Sequence, residues 1–226
     1  MKKTIYLLNI DHYEPAITAM TYPLIYRYAD RIGAEVVKIT ERKFPDYPVV
    51  YEKLQIYELA KERGDDWIFY IDSDCVVHPD LFDITEVLPH DTVLQYNNDF
   101  ALTRFDPDDI MRKDRRFIGT CNFFTVFHKD CLELYRPLED MTLEEALPRM
   151  HVSNQERRIG MEDGHLIDDF VITRNLAKNG FEYLTLRELL KRYNRENDEY
   201  LYHIHVLSAG EKEAAIMGML IKWNLT

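Results

Sequence analysis

Two aspartates one residue apart, Asp72 and Asp74, follow directly on an apolar run in the stretch WIFYIDSDCVV. At positions i and i+2 of an extended chain, both carboxylates leave on the same side. Like charges that close favour protonation of one of them unless a cation bridges the pair. A hard divalent cation meets that demand. Mg2+ or Mn2+ takes oxygen ligands, tolerates one or two carboxylates, and completes its shell with water and substrate phosphates. The pair therefore points to a metal with a diphosphate behind it. The competing local reading is turn chemistry, with Asp72 opening a turn and Asp74 capping it.

The elements that must position these carboxylates follow from periodicity. TIYLLNI is a short apolar strand, and Ile17, Met20, Leu24, Tyr28 and Ile32 form a helical stripe closed by Gly33. Pro23 bends that helix or marks its first turn. AEVVKIT is a second strand, and Val50, Leu54, Tyr57 and Ala60 share a helical face ending at Gly64. WIFYI, apolar on both faces, belongs inside a mostly parallel sheet with helices on each side. This βαβαβ order is that of a doubly wound α/β half-domain, where ligands bind outside the carboxyl ends of the strands. Asp72 and Asp74 stand at such an end.

Further along, TVLQYN and FIGTCNFFTVF read as strands separated by an exposed, charged segment over 106–116. A helical stretch runs from Asp130 towards Met150, followed by a polar loop. HLIDDFVITRNLAKNG is a helix closed by Gly180, FEYLTL a strand and LRELLKRYN a short helix. LYHIHVL alternates, with His203 and His205 on the face opposite Tyr202, Ile204 and Val206.

Bulk properties narrow the function. With 226 residues, 46% of them hydrophobic, the chain suits one domain with a substantial core. Forty acidic against 28 basic side chains give a net charge of −12, which disfavours nucleic acid as a partner. Three cysteines without metal-ligand spacing suggest neither a disulfide framework nor a zinc knuckle, and fit a reducing, cytoplasmic setting. The apolar run after Met1 stops at Asn9, too short for a signal peptide, and no window approaches the roughly 20 apolar residues of a transmembrane segment.

FYIDSDCVV resembles the DxD motif of the metal-dependent glycosyltransferases with the GT-A fold, and YEKLQIYEL is similar to the family 8 pattern preceding it. The resemblance implies a single α/β, Rossmann-like GT-A domain, with a nucleotide-binding half over 1–98 and an acceptor and sugar half over 99–226. It implies that Lys53 and Asn9 approach a nucleotide-sugar, together with Asp72. In IDDFVITRNLAKNG, Asp168 and Asp169 hold the positions of the family's acidic pair. There they act as general base or orient the acceptor, depending on whether the enzyme inverts or retains the anomeric centre. At a helix N-terminus the same pair could simply cap backbone amides. Glu162 and Asp163 in MEDG offer a second acidic pair, followed by residues out of register.

HIHVLSAGEKE contains the family's late histidine, glycine and lysine in order, as His205, Gly210 and Lys212, with longer spacing and without the tryptophan that usually follows. The resemblance makes His205 the third metal ligand, with His203 next in rank, and sets Gly210 and Lys212 against the diphosphate. FIGTCNFF occupies the place of the strand lining the sugar pocket, with Gly119 and Asn122 instead of Asn-x-Gly. The implied activity is transfer of a hexosyl or pentosyl group from a UDP- or GDP-sugar to a saccharide or other hydroxyl acceptor, with Mn2+ or Mg2+. Two alternatives share these residues. One is a haloacid dehalogenase-like, Mg-dependent phosphatase, whose nucleophilic aspartate normally ends the first strand. The other is a nucleotide-sugar-binding domain without transfer.

Overall fold

The computed structural model of the chain describes residues 1–96, 101–115, 119–158, 160–195, 199–204 and 209–225. Its centre is a six-stranded sheet in the order β2-β1-β3-β6-β5-β7. The strands are β1 (Lys3–Leu8), β2 (Ala34–Ile39), β3 (Trp67–Ile71), β5 (Thr92–Gln95), β6 (Phe124–His128) and β7 (Glu182–Thr185). β6 alone runs against the others, pairing antiparallel with β3 and β5. β4 (Cys75–Val77) and β8 (Leu201–His203) form a separate antiparallel ribbon.

Every residue of β3 is buried, because helices cover both faces of the sheet. One face packs Tyr6, Ile68, Tyr70 and Phe127 against α2 (Ile56–Arg63) and α7 (Ile167–Asn179). The other packs Ile5, Leu7, Phe69 and Val126 against α1 (Pro15–Ile32) and α8 (Leu186–Arg192). Short helices α3 (Ala101–Arg104), α4 (Pro107–Ile110), α5 (Leu143–Ala146) and α6 (Asn154–Arg158) lie in the connections. α1 starts with Pro15 in its first turn and continues through Pro23; Gly33, at φ 68°, closes it in the left-handed conformation that glycine adopts without strain.

The structure corrects several expectations of the second half. FIGTCNFFTVF is not one strand: β6 begins at Phe124. Before it, the Asn122 amide turns aside to the Asp169 carboxylate, and the Phe123 carbonyl accepts from the Asp72 amide. Between 129 and 149 the chain forms 3-10 turns around α5 instead of a continuous helix, because Pro137 holds Arg136 in an extended conformation. The charged segment over 106–116 is not wholly exposed, since Arg112 is buried and donates to the Gly180 and Phe181 carbonyls.

Sequence patterning assigns no element after LYHIHVL, yet α9 (Ala209–Lys222) is a helix of 14 residues. Gly210 and Gly218 weaken its local propensity. Tertiary packing compensates, because Ile216 is fully buried in a third core with Ile17 and Leu24 of α1, Val76 of β4 and Ile204. Among the described residues no helix is long and apolar enough to cross a membrane.

This third core generates a stability prediction. Ile216→Ala should lower the unfolding free energy by about 2–5 kcal/mol, the range for truncating a buried aliphatic side chain. Urea unfolding checks it, and a loss below about 0.5 kcal/mol would show that α9 is not anchored there.

Candidate active site

The chain leaves β3 at Asp72 and turns at once. The Asp72 carbonyl accepts the Cys75 amide at 3.0 Å, so the two aspartates flank a turn and not an extended segment. Ser73, between them, fastens that turn. Its hydroxyl donates to the Leu8 carbonyl at 2.6 Å and lies 2.9 Å from the Tyr22 hydroxyl, while Thr21 donates to its carbonyl at 2.6 Å. With Ser73 fixed against β1 and α1, the carboxylates project towards β8. There His203 Nε2 lies 3.3 Å from Asp74 Oδ1 and 3.7 Å from Asp72 Oδ2. The imidazole is held in plane by stacking on Phe123, centroid to centroid 4.1 Å.

Each carboxylate turns one oxygen to the same ring nitrogen. The donor atoms that all lie within 4.8 Å of one another, and could hold a metal ion, are those of Asp74, Cys75 and His203, a group without Asp72. The remaining oxygens are engaged elsewhere. Asp74 Oδ2 meets Lys212 Nζ at 3.1 Å, and Asp72 Oδ1 meets Lys53 Nζ at 3.2 Å and accepts from the Tyr70 hydroxyl.

Lys53 is not a solvated lysine. It enters from the 3-10 segment Val49–Gln55, is buried, and pairs with Asp168 Oδ2 at 2.8 Å as well as with Asp72. It also donates to the Asn122 carbonyl at 3.1 Å and lies 5.0 Å from the Tyr70 ring centroid. Burial works against its charge, but the Asp168 and Asp72 carboxylates outweigh it and hold its pKa well above the ordinary lysine value.

Asp168 and Asp169 make no side-chain cap at the start of α7. Both are buried and turn to Asn122: Asp169 Oδ1 accepts its amide at 2.6 Å and Asp168 Oδ2 its side-chain nitrogen at 3.4 Å. Burial, reinforced by the Asp168 charge, pushes the Asp169 carboxyl up to about 7, against the pull of Lys53 and the Asn122 amide.

Lys212, in the first turn of α9, gathers a corner that sequence reasoning missed. Its ammonium meets Glu14 Oε2 at 2.8 Å and the Tyr13 hydroxyl at 3.1 Å, besides Asp74. Burial opposes the charge of Asp74, yet the hydrogen bond and charge of His203, with Lys212, hold its carboxyl well below the usual range. No spacing in the sequence joins Tyr13 and Glu14 to Lys212, nor Phe123 to His203; only the packing of α9 and β8 does.

The other expected residues are placed as follows. Asn9 directly follows β1, and its side-chain oxygen is buried with no hydrogen-bond partner among the described residues. Gly210 is exposed in the first turn of α9. His205 lies outside the described residues. Asp163 binds the Val152 amide and Arg157, and with Glu162 lines a separate open cleft of about 540 Å3. Gly119 is buried beside Thr120, which bonds Thr173 of α7.

No protein-family model matches the chain, and no curated protein does. Solved structures do match. One is a glycosyltransferase involved in the glycosylation of the major capsid of PBCV-1, with a TM-score of 0.59 and 14% identity, covering 96% of this chain and 100% of that one. The fold is that of the GT-A glycosyltransferases. A Drosophila beta-1,4-galactosyltransferase 7 mutant, in complex with manganese, UDP-Gal and xylobiose, is similar at a TM-score of 0.49 and 10% identity, over 91% of this chain and 71% of that one.

Two outcomes follow from the buried charges. Lys53→Met leaves Asp168 and Asp72 without their cation and should cost about 3–5 kcal/mol in denaturant unfolding at neutral pH. A cost under about 1 kcal/mol would mean that the acids find other compensation. The Asp169 carboxyl, raised from 3.8 to about 7 on folding, favours the folded form when protonated, and that contribution is lost as pH rises through this interval. Asp169→Asn should therefore gain stability relative to the parent between pH 5 and pH 8, by on the order of 1–3 kcal/mol. A difference that stays flat with pH would refute the raised pKa.

Proposed function

We propose that the chain is a metal-dependent glycosyltransferase, moving a hexosyl or pentosyl group from a UDP- or GDP-sugar to a hydroxyl of a saccharide or other acceptor. The observation that carries this reading is the meeting of two acidic pairs at one ammonium. Lys53 Nζ lies 3.2 Å from Asp72 and 2.8 Å from Asp168, so the turn suited to a metal diphosphate adjoins carboxylates suited to an acceptor.

In this reading Asp72, Asp74 and His203 hold Mn2+ or Mg2+, with His205 as the further candidate ligand. The bound ion supplies Lewis-acid neutralisation of the diphosphate. Asn9, whose side-chain oxygen lacks a partner among the described residues, offers an acceptor to the nucleotide or sugar. During transfer the bond from the anomeric carbon to the diphosphate oxygen breaks, and its electron pair stays with the departing nucleotide. Lys212 stabilises that growing negative charge, with the Gly210 backbone beside it. The acceptor oxygen bonds to the anomeric carbon and gives up its proton. Asp169, titrating near neutrality, receives the proton in an inverting course; in a retaining one it orients the hydroxyl and the proton passes to the departing diphosphate oxygen. Asp168 and Asn122 keep Asp169 and the sugar side of the site in register. A dehalogenase-type phosphatase would end its first strand in aspartate, where this chain has Asn9.

Calorimetric titration of UDP, GDP and their sugar conjugates, with and without Mn2+, tests the proposal. Metal-dependent binding should weaken at least about 100-fold in the Asp72→Asn, Asp74→Asn double variant, as expected when two first ligands are lost. No binding of any nucleoside diphosphate would sink the reading. Tight binding of every sugar-nucleotide without transfer or hydrolysis would leave a binding domain.

A further inference from the structure

A second constellation sits at the other end of β3 from the aspartates. Trp67 opens that strand and pairs with His128, the last residue of β6. The imidazole of His90, two residues before β5, stacks on that of His128 with centroids 3.7 Å apart and planes 12° from parallel. Both rings meet Trp67 edge-on, at 5.5 and 5.1 Å. Asp130 returns from the turn after β6 to bring Oδ2 within 3.1 Å of His128 Nδ1. One donor atom from each of His90, His128 and Asp130 lies within 4.8 Å of the other two.

We propose that His90, His128 and Asp130 form a second metal site, built for a borderline transition ion of the Zn2+ type and separate from the site at Asp72 and Asp74. Two imidazole nitrogens and one carboxylate oxygen are a donor set that suits zinc, whereas magnesium and calcium prefer all-oxygen surroundings. Tetrahedral zinc with bonds of about 2.1 Å sets its ligand atoms roughly 3.4 Å apart, closer than the 4.8 Å within which these atoms lie, so the side chains must draw together to close the site.

Among the described residues the one amide pointed at His128 Nδ1 is that of Asp130, at a long 3.4 Å. The adjacent cation does not compete for Asp130, because Lys129 is held by Asp66 at 2.7 Å. His90 and Asp130 are exposed, leaving a path for entry and room for water as the remaining ligand. Bound there, the ion would join the chain before β5 to the end of β6, beside the start of β3. Parallel rings direct their lone pairs side by side, so ligation must splay the stack, and Trp67 registers that movement.

Equilibrium dialysis of the full chain against Zn2+ tests the proposal, with His90→Ala and Asp130→Asn in parallel and tryptophan fluorescence read on the same samples. Both substitutions are at exposed positions, and a thermal melt of each metal-free variant establishes that it is folded. The parent should bind about one equivalent more than either variant, and Zn2+ should change the parent's fluorescence alone. Equal zinc content in parent and variants overturns the site, as does a parent that binds no zinc. Neither result depends on nucleotide binding, so failure here is distinguishable from failure of the glycosyltransferase reading.

Discussion

Lys53 carries its ammonium into the protein interior, where it meets Asp168 at 2.8 Å, Asp72 at 3.2 Å and the Asn122 carbonyl at 3.1 Å. Desolvating that charge is costly, and desolvating the carboxylates alone would be costlier, so the three groups are tolerated only together. The constraint reaches far along the chain. It draws the 3-10 segment that bears Lys53, the end of β3, the approach to β6 and the start of α7 to one point. Four aspartates at the site, Asp72, Asp74, Asp168 and Asp169, face two lysines, Lys53 and Lys212.

Fastening of the turn by Ser73 explains why so short a sequence, Asp-Ser-Asp, can serve a site. An unanchored turn would let two like charges swing apart into water. Here the Leu8 carbonyl, the Thr21 hydroxyl and the Tyr22 hydroxyl hold the middle residue, so repulsion is taken up by His203 and the lysines instead. The strand before it is apolar for a related reason. β3 has neighbours on both edges and helices on both faces, and only at its end does the chain reach a place where carboxylates find partners.

Residues close in sequence were the legible ones. The three first strands, α1, α7 and the acidic pairs announce themselves through local periodicity and adjacency, and these elements stand where the pattern puts them. Legibility stopped where partners come from remote segments. Tyr13 and Glu14 reach Lys212 across nearly the whole chain, and the packing of Ile216 makes a helix of a glycine-containing segment. The approach to β6 reads as strand because its residues are apolar. The backbone departs from that pattern since Asp169 claims the Asn122 amide. The turn at Asp72 was legible as one of two options, and the pattern could not choose because both place carboxylates after an apolar strand.

One aspartate of each acidic pair, Asp74 and Asp169, ends in the opposite electrostatic state to the other for identifiable reasons. Asp74 is surrounded by donors, with His203 on one oxygen and Lys212 on the other, and stays ionised although buried. Asp169 is equally hidden but has as its neighbour another carboxylate, Asp168, which itself takes the closest contact with Lys53. Its proton is therefore held loosely around neutrality. Environments that push like groups apart in pKa let one fold supply both a permanent anion and an exchangeable proton site. Asp74 and Asp169 are the same residue type, so the difference lies in burial and in the charges the fold brings to each.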